Sequence, residues 1–238
     1  ARHPDFDEQD IARGKTARKA APRSSHAKID LTGRPDPISL LEDQARSRLP
    51  ELIPLRHARM MASPFTFFRG SALIMASDLA RTPCSGLRTQ LCGDAHLANF
   101  GVFGTPERNL IFDINDFDET LPGPWEWDLK RLAASLEVVG RNNGFSRHQR
   151  RDLVLRAART YRDAMAELAA MSNLDVWYAR LAIETLVTTF GDELTQRERQ
   201  KGSKIIAKAM KSDSTHELGK LTEPGDGERR FASHPPVL

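Results

Sequence analysis

The sequence predicts an α+β fold that is mostly helical, and three observations predict it. Four long segments, over residues 125–141, 146–171, 174–190 and 197–211, carry apolar residues at helical spacing. Three short apolar runs, over 87–92, 100–103 and 110–112, are separated by Gly- and Pro-bearing turns and read as strands. A chain of 238 residues with 39% hydrophobic and 28% charged content is long enough to bury a core and has the balance of an ordinary globular protein. Together these predict a helical bundle around a short strand and hairpin.

Residues 1–36 are polar, carry both charge signs and include Ala21-Pro22-Arg23-Ser24-Ser25, which reads as a flexible basic arm. Gly14-Lys15-Thr16 has the ending of a phosphate-binding loop. That motif needs a glycine five residues before its second one, and Gln9 stands there, so it is excluded. Residues 37–221 form the main lobe. Pro37 starts a helix over 37–48 with Ile38, Leu41 and Ala45 on one face, and a second short helix spans 52–61. In Ser63-Pro64-Phe65-Thr66-Phe67-Phe68-Arg69-Gly70 the three aromatics read as packing. Arg69 is costly to bury alone, so it pairs with an acid such as Asp78 or reaches a phosphate. A buried helix over 71–80 and a turn at 82–86 lead into the first strand.

Beyond the hairpin, 120–124 reads as a rigid loop. The helix over 125–141 follows, with Leu129, Leu132, Ala133, Leu136 and Val139 as its stripe. Trp125 and Trp127 pack that loop, and Lys130 and Arg131 either balance nearby acids or contact phosphate. Ser146 caps the next helix. Residues 222–238 read as a terminal loop. No internal repeat is found.

No apolar run approaches the roughly 20 residues of a membrane span, and the N-terminal stretch has no apolar core of a signal peptide. Cys84 and Cys92 suggest no disulfide framework. The cytoplasm is therefore the expected location, with no membrane partner. A net charge of +3 and a pI near 9.0 suit anionic partners such as nucleotides. Nucleic acid is not expected, since only the arm and the 197–211 helix would favour it.

The chemistry lies between residues 92 and 119. Asp94 is followed five residues later by Asn99, and His96 lies between them. The run Leu110-Ile111-Phe112 then ends in Asp113, Asp116, Asp118 and Glu119. Four acids in seven residues repel one another, so they gather around a cation or all face water. A hairpin over 100–112 would bring Asp94, Asn99 and Asp113 together. Such a set suits Mg²⁺, which takes one or two carboxylates, an amide oxygen and waters, and leaves positions for phosphate. Asp116, in Asp116-Phe117-Asp118, is the rival ligand. His96 orients the loop or contacts phosphate. Two other readings stand beside this one. A carboxylate and His96 metal site would serve hydrolysis and prefer Mn²⁺ or Zn²⁺, and a non-catalytic module would bind a partner.

Cys92-Gly93-Asp94, Asn99 and Asp113 resemble the catalytic loop and metal-binding Asp of the protein-kinase-like superfamily, in its aminoglycoside phosphotransferase style. That pattern is His-Gly-Asp-x4-Asn, a hairpin, and an apolar strand ending in Asp; Cys92 replaces the His. The resemblance implies a kinase-like, C-lobe-like core. It implies Asp94 as catalytic base, with Asn99 and Asp113 (or Asp116) holding Mg²⁺ or Mn²⁺, and His96 stands beside Asp94 as a further catalytic candidate. ATP is the implied donor and a hydroxyl-bearing molecule the acceptor; Arg69 and Lys130, read from the residues themselves, are the candidate phosphate contacts. Asp128 in Trp125-Glu126-Trp127-Asp128-Leu129 matches the Asp that braces the loop from the next helix.

A longer match spans nearly the whole chain. Arg23-Ser24-Ser25-His26, Arg59-Met60-Met61, Ser63-Pro64-Phe65, Phe68-Arg69-Gly70 and Pro122-Gly123-Pro124-Trp125-Glu126-Trp127-Asp128-Leu129-Lys130-Arg131 resemble the bacterial domain of unknown function 2252 family, whose name carries no activity. The sequence has no Gly-x-Gly-x-x-Gly and no Val-Ala-Ile-Lys-like strand before the loop. The family resemblance implies that these follow residue 238. The chain is then expected to be the metal and catalytic-loop half of an enzyme, with an exposed face that favours self-association.

Overall fold

Local sequence signals set most helix starts. In the computed structural model, which describes residues 8–105, 107, 109–211, 218, 221–224 and 228–232, the helices are α1 (Glu8–Ala20), α2 (Pro37–Ala45), α3 (Ile53–Met60), α4 (Pro64–Arg69), α5 (Ala72–Leu79), α6 (Glu126–Asn142), α7 (Arg147–Leu168), α8 (Asn173–Tyr178), α9 (Ile183–Phe190) and α10 (Gln196–Lys211). The strands are β1 (Arg88–Leu91), β2 (Phe100–Gly104), β3 (Leu110–Ile114), β4 (Leu121–Pro124), β5 (Thr222–Pro224) and β6 (Arg229–Phe231). The fold is thus α+β, with two-stranded sheets β1–β4, β2–β3 and β5–β6.

Proline and a capping side chain open two of these helices, and a capping box alone opens a third. Pro37 opens α2 and Asp36 accepts the Ser39 N–H. Pro64 opens α4 behind a Ser63–Thr66 capping box. Ser146 and Gln149 form the same box at α7.

The chain divides into two units, Ala1–Asn99 with Ile114–Tyr178, and Phe100–Asp113 with Ala179–Leu238. In the first, Leu41, Met60 and Ile74 from α2, α3 and α5 form a buried cluster. Helix α6 lies against α7, where Gly140 lets the Arg150 stem approach to a distance no side chain would allow. Trp125 donates to Ser85 Oγ at 3.0 Å and stacks on Tyr161. Strands β1 and β4 are antiparallel, with Leu91 opposite Leu121 and Arg88 opposite Pro124. Pro122 and Pro124 are tolerated because β4 pairs on one edge only.

In the second unit β2 pairs with β3, Phe100 stacks on Phe112, and the Phe112 N–H donates to Leu181 O at 2.9 Å. Helix α10 packs on β2. Strands β5 and β6 are antiparallel.

Five expectations change. Residues 8–20, read as arm, form α1; its first-turn acids and last-turn bases suit the helix dipole. Asp78 pairs with Arg34 at 2.7 Å rather than with Arg69. The 120–124 loop contributes β4, and the 174–190 helix is broken between α8 and α9, where Ala182 bridges to Ile111. The terminal loop contributes β5 and β6, which pair. Residues 1–7 of the arm, 106 and 108 of the hairpin turn, 212–217 and 219–220 of the main lobe, and 225–227 and 233–238 of the terminal loop lie outside the described residues. Among the described residues no helix is long and apolar enough to cross a membrane.

Candidate catalytic loop

One face of α6 holds the 92–99 loop. Asp128, Arg131 and Ser135 stand at i, i+3 and i+7, so helical periodicity lines them up. Asp128 Oδ2 accepts the Cys92 N–H at 2.8 Å, and its Oδ1 accepts the Gly93 N–H at 3.2 Å. Arg131 Nε donates to Asp94 Oδ1 at 2.5 Å. Ser135, wholly buried, accepts the Leu97 N–H at 3.0 Å. One rigid helix therefore fixes the loop at four positions. An ionised carboxylate is a strong acceptor for two successive backbone donors.

The loop needs a glycine at position 93. Its φ is +84°, and a Cβ there would stand 1.9 Å from the Glu119 carbonyl oxygen.

Arg131 is 2% exposed. It also donates from Nη2 to Phe68 O at 2.8 Å and lies 4.4 Å over the Phe68 ring. A guanidinium so buried is tolerated because a carboxylate, a carbonyl and a ring face all receive it. His96 lies on the other side of Asp94, with Nε2 3.4 Å from Oδ2. Among the described residues its Nδ1 is buried without a hydrogen-bond partner, and its ring meets the Phe65 ring edge-on at 6.1 Å. Burial pushes the His96 pKa below its ordinary value; Asp94 opposes this, and Arg69 and Arg131 add to it. A neutral imidazole results.

Asn99 is buried. Its Nδ2 donates to Asp94 O at 3.0 Å and to Asp116 O at 3.1 Å, while its own carbonyl accepts the Asn115 N–H. Both amide hydrogens thus serve backbone carbonyls, an arrangement that sets which end of the side chain is the nitrogen. Asp116 is exposed, and its Oδ1 accepts the Asp118 N–H at 3.1 Å. Asp113 belongs to the second unit, near the end of β3.

Among the described residues no three His, Cys, Asp or Glu side chains gather as a metal group. Asn99 and Asp116, joined by the Asn99 Nδ2 hydrogen bond to the Asp116 main-chain oxygen, are the first-unit residues that could hold a metal. Mg²⁺ is the ion such oxygen donors would suit, since it uses few protein ligands and completes its shell with phosphate and water.

Of the two expected phosphate contacts, Lys130 donates to Thr82 Oγ1 at 3.2 Å, and burial lowers its pKa. Arg69 is exposed at the end of α4, and among the described residues it forms no ion pair. Burial, aided by Asp128, pushes the Cys92 thiol up to about 12, so it is a packing group.

Two residues of this site carry more than the sequence alone assigns them. Arg131 reads there only as a balancing charge or a phosphate contact, and Ser135 has no role. The signal that finds both is the polar series Asp128, Arg131, Ser135 at helical spacing beside an otherwise apolar stripe.

No curated protein and no solved structure matches the chain. A family model described as "Uncharacterized protein conserved in bacteria (DUF2252)" matches residues 48–238. The chain belongs to that bacterial family.

Proposed function

We propose that the 92–99 loop and α6 form the catalytic-loop half of a kinase-like, metal-dependent phosphotransferase that moves a phosphoryl group from ATP to a hydroxyl acceptor. The observation that carries this reading is the acceptance of the Cys92 and Gly93 N–H groups by Asp128. A carboxylate on the following helix that braces the backbone just before the catalytic Asp is what the kinase resemblance calls for. The Asn99 amide on the Asp94 carbonyl adds to it, because it ties the base to the metal ligand.

In this reading Asp94 Oδ2 takes the hydrogen bond, and then the proton, of the acceptor hydroxyl. The hydroxyl oxygen forms the new bond to the γ-phosphorus as the bond to the departing diphosphate breaks. Arg131 keeps Oδ1 occupied and so aims Oδ2. His96, neutral, orients the carboxylate from its other side. Asn99 and Asp116 are the first unit's residues for Mg²⁺, and Asp113 keeps the ligand role that the resemblance assigns it. A bound metal supplies charge neutralisation at the phosphates. Arg69 is the exposed cation for phosphate. An ATP donor places the proposed reaction in the cytoplasm.

The occupied state of Asp94 favours a second reading. With Arg131 on one oxygen and His96 facing the other, the loop can also serve a non-catalytic module. Calorimetric titration of Mg-ATP into the chain and into its Asp116→Asn and Asp113→Asn variants separates the two. Binding that weakens in the variants supports the phosphotransferase. Absence of binding with both Mg²⁺ and Mn²⁺, in this chain and in one extended past residue 238, removes it and leaves the module.

A further inference from the structure

Two arginines flank the end of α4. Arg56 on α3 donates from Nη2 to Gly70 O at 2.8 Å, and Arg131 donates from Nη2 to Phe68 O at 2.8 Å. Arg69 leaves the chain between those two carbonyls and is exposed. Its charge reaches His96, the neighbour of Asp94. Arg56 is half-buried, and Arg48 lies close enough to oppose its charge.

Among the described residues, Arg48, Arg56 and Arg69 form no ion pair. Glu119, Asp118 and Asp94 act on Arg56 only from beyond that range. Asp94 is already held by Arg131 at 2.5 Å. Like charges brought together on a half-buried surface are costly unless an anion joins them. Guanidinium groups match the oxygens of a phosphate two at a time.

We propose that Arg56 and Arg69, with Arg48 at its edge, form an oxyanion-binding subsite beside Asp94 that takes a phosphate-type group. Its place beside a reacting hydroxyl rests on the phosphotransferase reading; the binding itself does not. The phosphate-type group is either the nucleotide's own or an anionic group of the acceptor.

The test is calorimetric titration of inorganic phosphate into the full chain at low salt. The wild-type chain binds phosphate saturably. Arg69→Gln, at an exposed position with no ion pair to break, keeps its melting temperature and weakens binding roughly tenfold, the effect of removing one charge-assisted hydrogen bond. Arg56→Lys weakens it by a smaller factor, since the charge stays while the planar fork goes. No saturable binding, or equal affinity in Arg69→Gln, overturns the subsite.

A repeat in saturating Mg-ATP fixes the source. Phosphate displaced by Mg-ATP assigns the subsite to the nucleotide; phosphate bound as before assigns it to the acceptor. Phosphate binding with no phosphoryl transfer, even in a chain extended past residue 238, keeps the subsite and removes the phosphotransferase reading. Transfer with unaltered phosphate affinity in Arg69→Gln does the reverse.

Discussion

Arg131 reaches from α6 to place Nε 2.5 Å from Asp94 Oδ1, with 3% of the arginine side chain and 17% of the aspartate exposed. Breaking such a pair strands a charge away from water. Arg131→Met is expected to destabilise the chain by about 3–5 kcal/mol in urea denaturation. The double variant Arg131→Met with Asp94→Asn is expected to lose less than the sum of the two singles, because no unpaired charge remains. A loss below about 1 kcal/mol, the range of exposed pairs, would show that the pair is not sequestered.

Gly93 makes a sharper demand. Its φ of +84° alone costs an alanine about 1–3 kcal/mol. The Glu119 carbonyl, 1.9 Å from the added Cβ, then forces the loop to move. Gly33, with φ of +61° and open space around it, is the control. Thermal melts are expected to place Gly93→Ala well below Gly33→Ala; equal midpoints would mean the loop yields freely.

The two cysteines should respond differently to a thiol reagent. Cys84 is exposed, while Cys92 is buried with its thiol pushed up to about 12. Mass spectrometry of the natively alkylated chain is expected to find the label on Cys84, and on both after denaturation. Label on Cys92 in the folded chain would show that the loop opens.

His96 gives the pH dependence its sign. Burial depresses its folded-state pKa below the unfolded value of 6.5. Below pH 6.5 the unfolded chain therefore binds the proton more readily. Stability is full above that pH and falls as pH drops from it towards the folded-state value. Denaturation midpoints between about pH 7.5 and about pH 5, which bracket the ordinary histidine range, should show this slope, and His96→Gln should flatten it. A slope of the opposite sign would mean that the pull of Asp94 outweighs burial.

Much of this was legible in local sequence. Proline and serine mark the starts of α2, α4 and α7, the spacing of Asp94 and Asn99 marks the loop, and the kinase resemblance points to Asp128 as its brace. What local sequence hid depends on tertiary packing. Arg131 is a surface residue by composition, and only the docking of α6 on the loop and on Phe68 buries it. Pro122 and Pro124 argue against a strand unless one edge is left unpaired, which is how β4 sits. Residues 8–20 bury little beyond Ala17, so no apolar stripe announced α1.

The role proposed for Asp94, proton acceptor in a phosphoryl transfer, stands or falls on one comparison of rates. Phosphate release from Mg-ATP is to be followed in the wild-type chain and in Asp94→Asn, which keeps the side chain's size and an oxygen for Arg131. In a chain extended past residue 238 to carry the nucleotide-binding half, turnover is expected, with a loss of roughly 10²–10⁴-fold in the variant, measured below the melting temperature of both chains. Equal rates in the two chains would contradict that role.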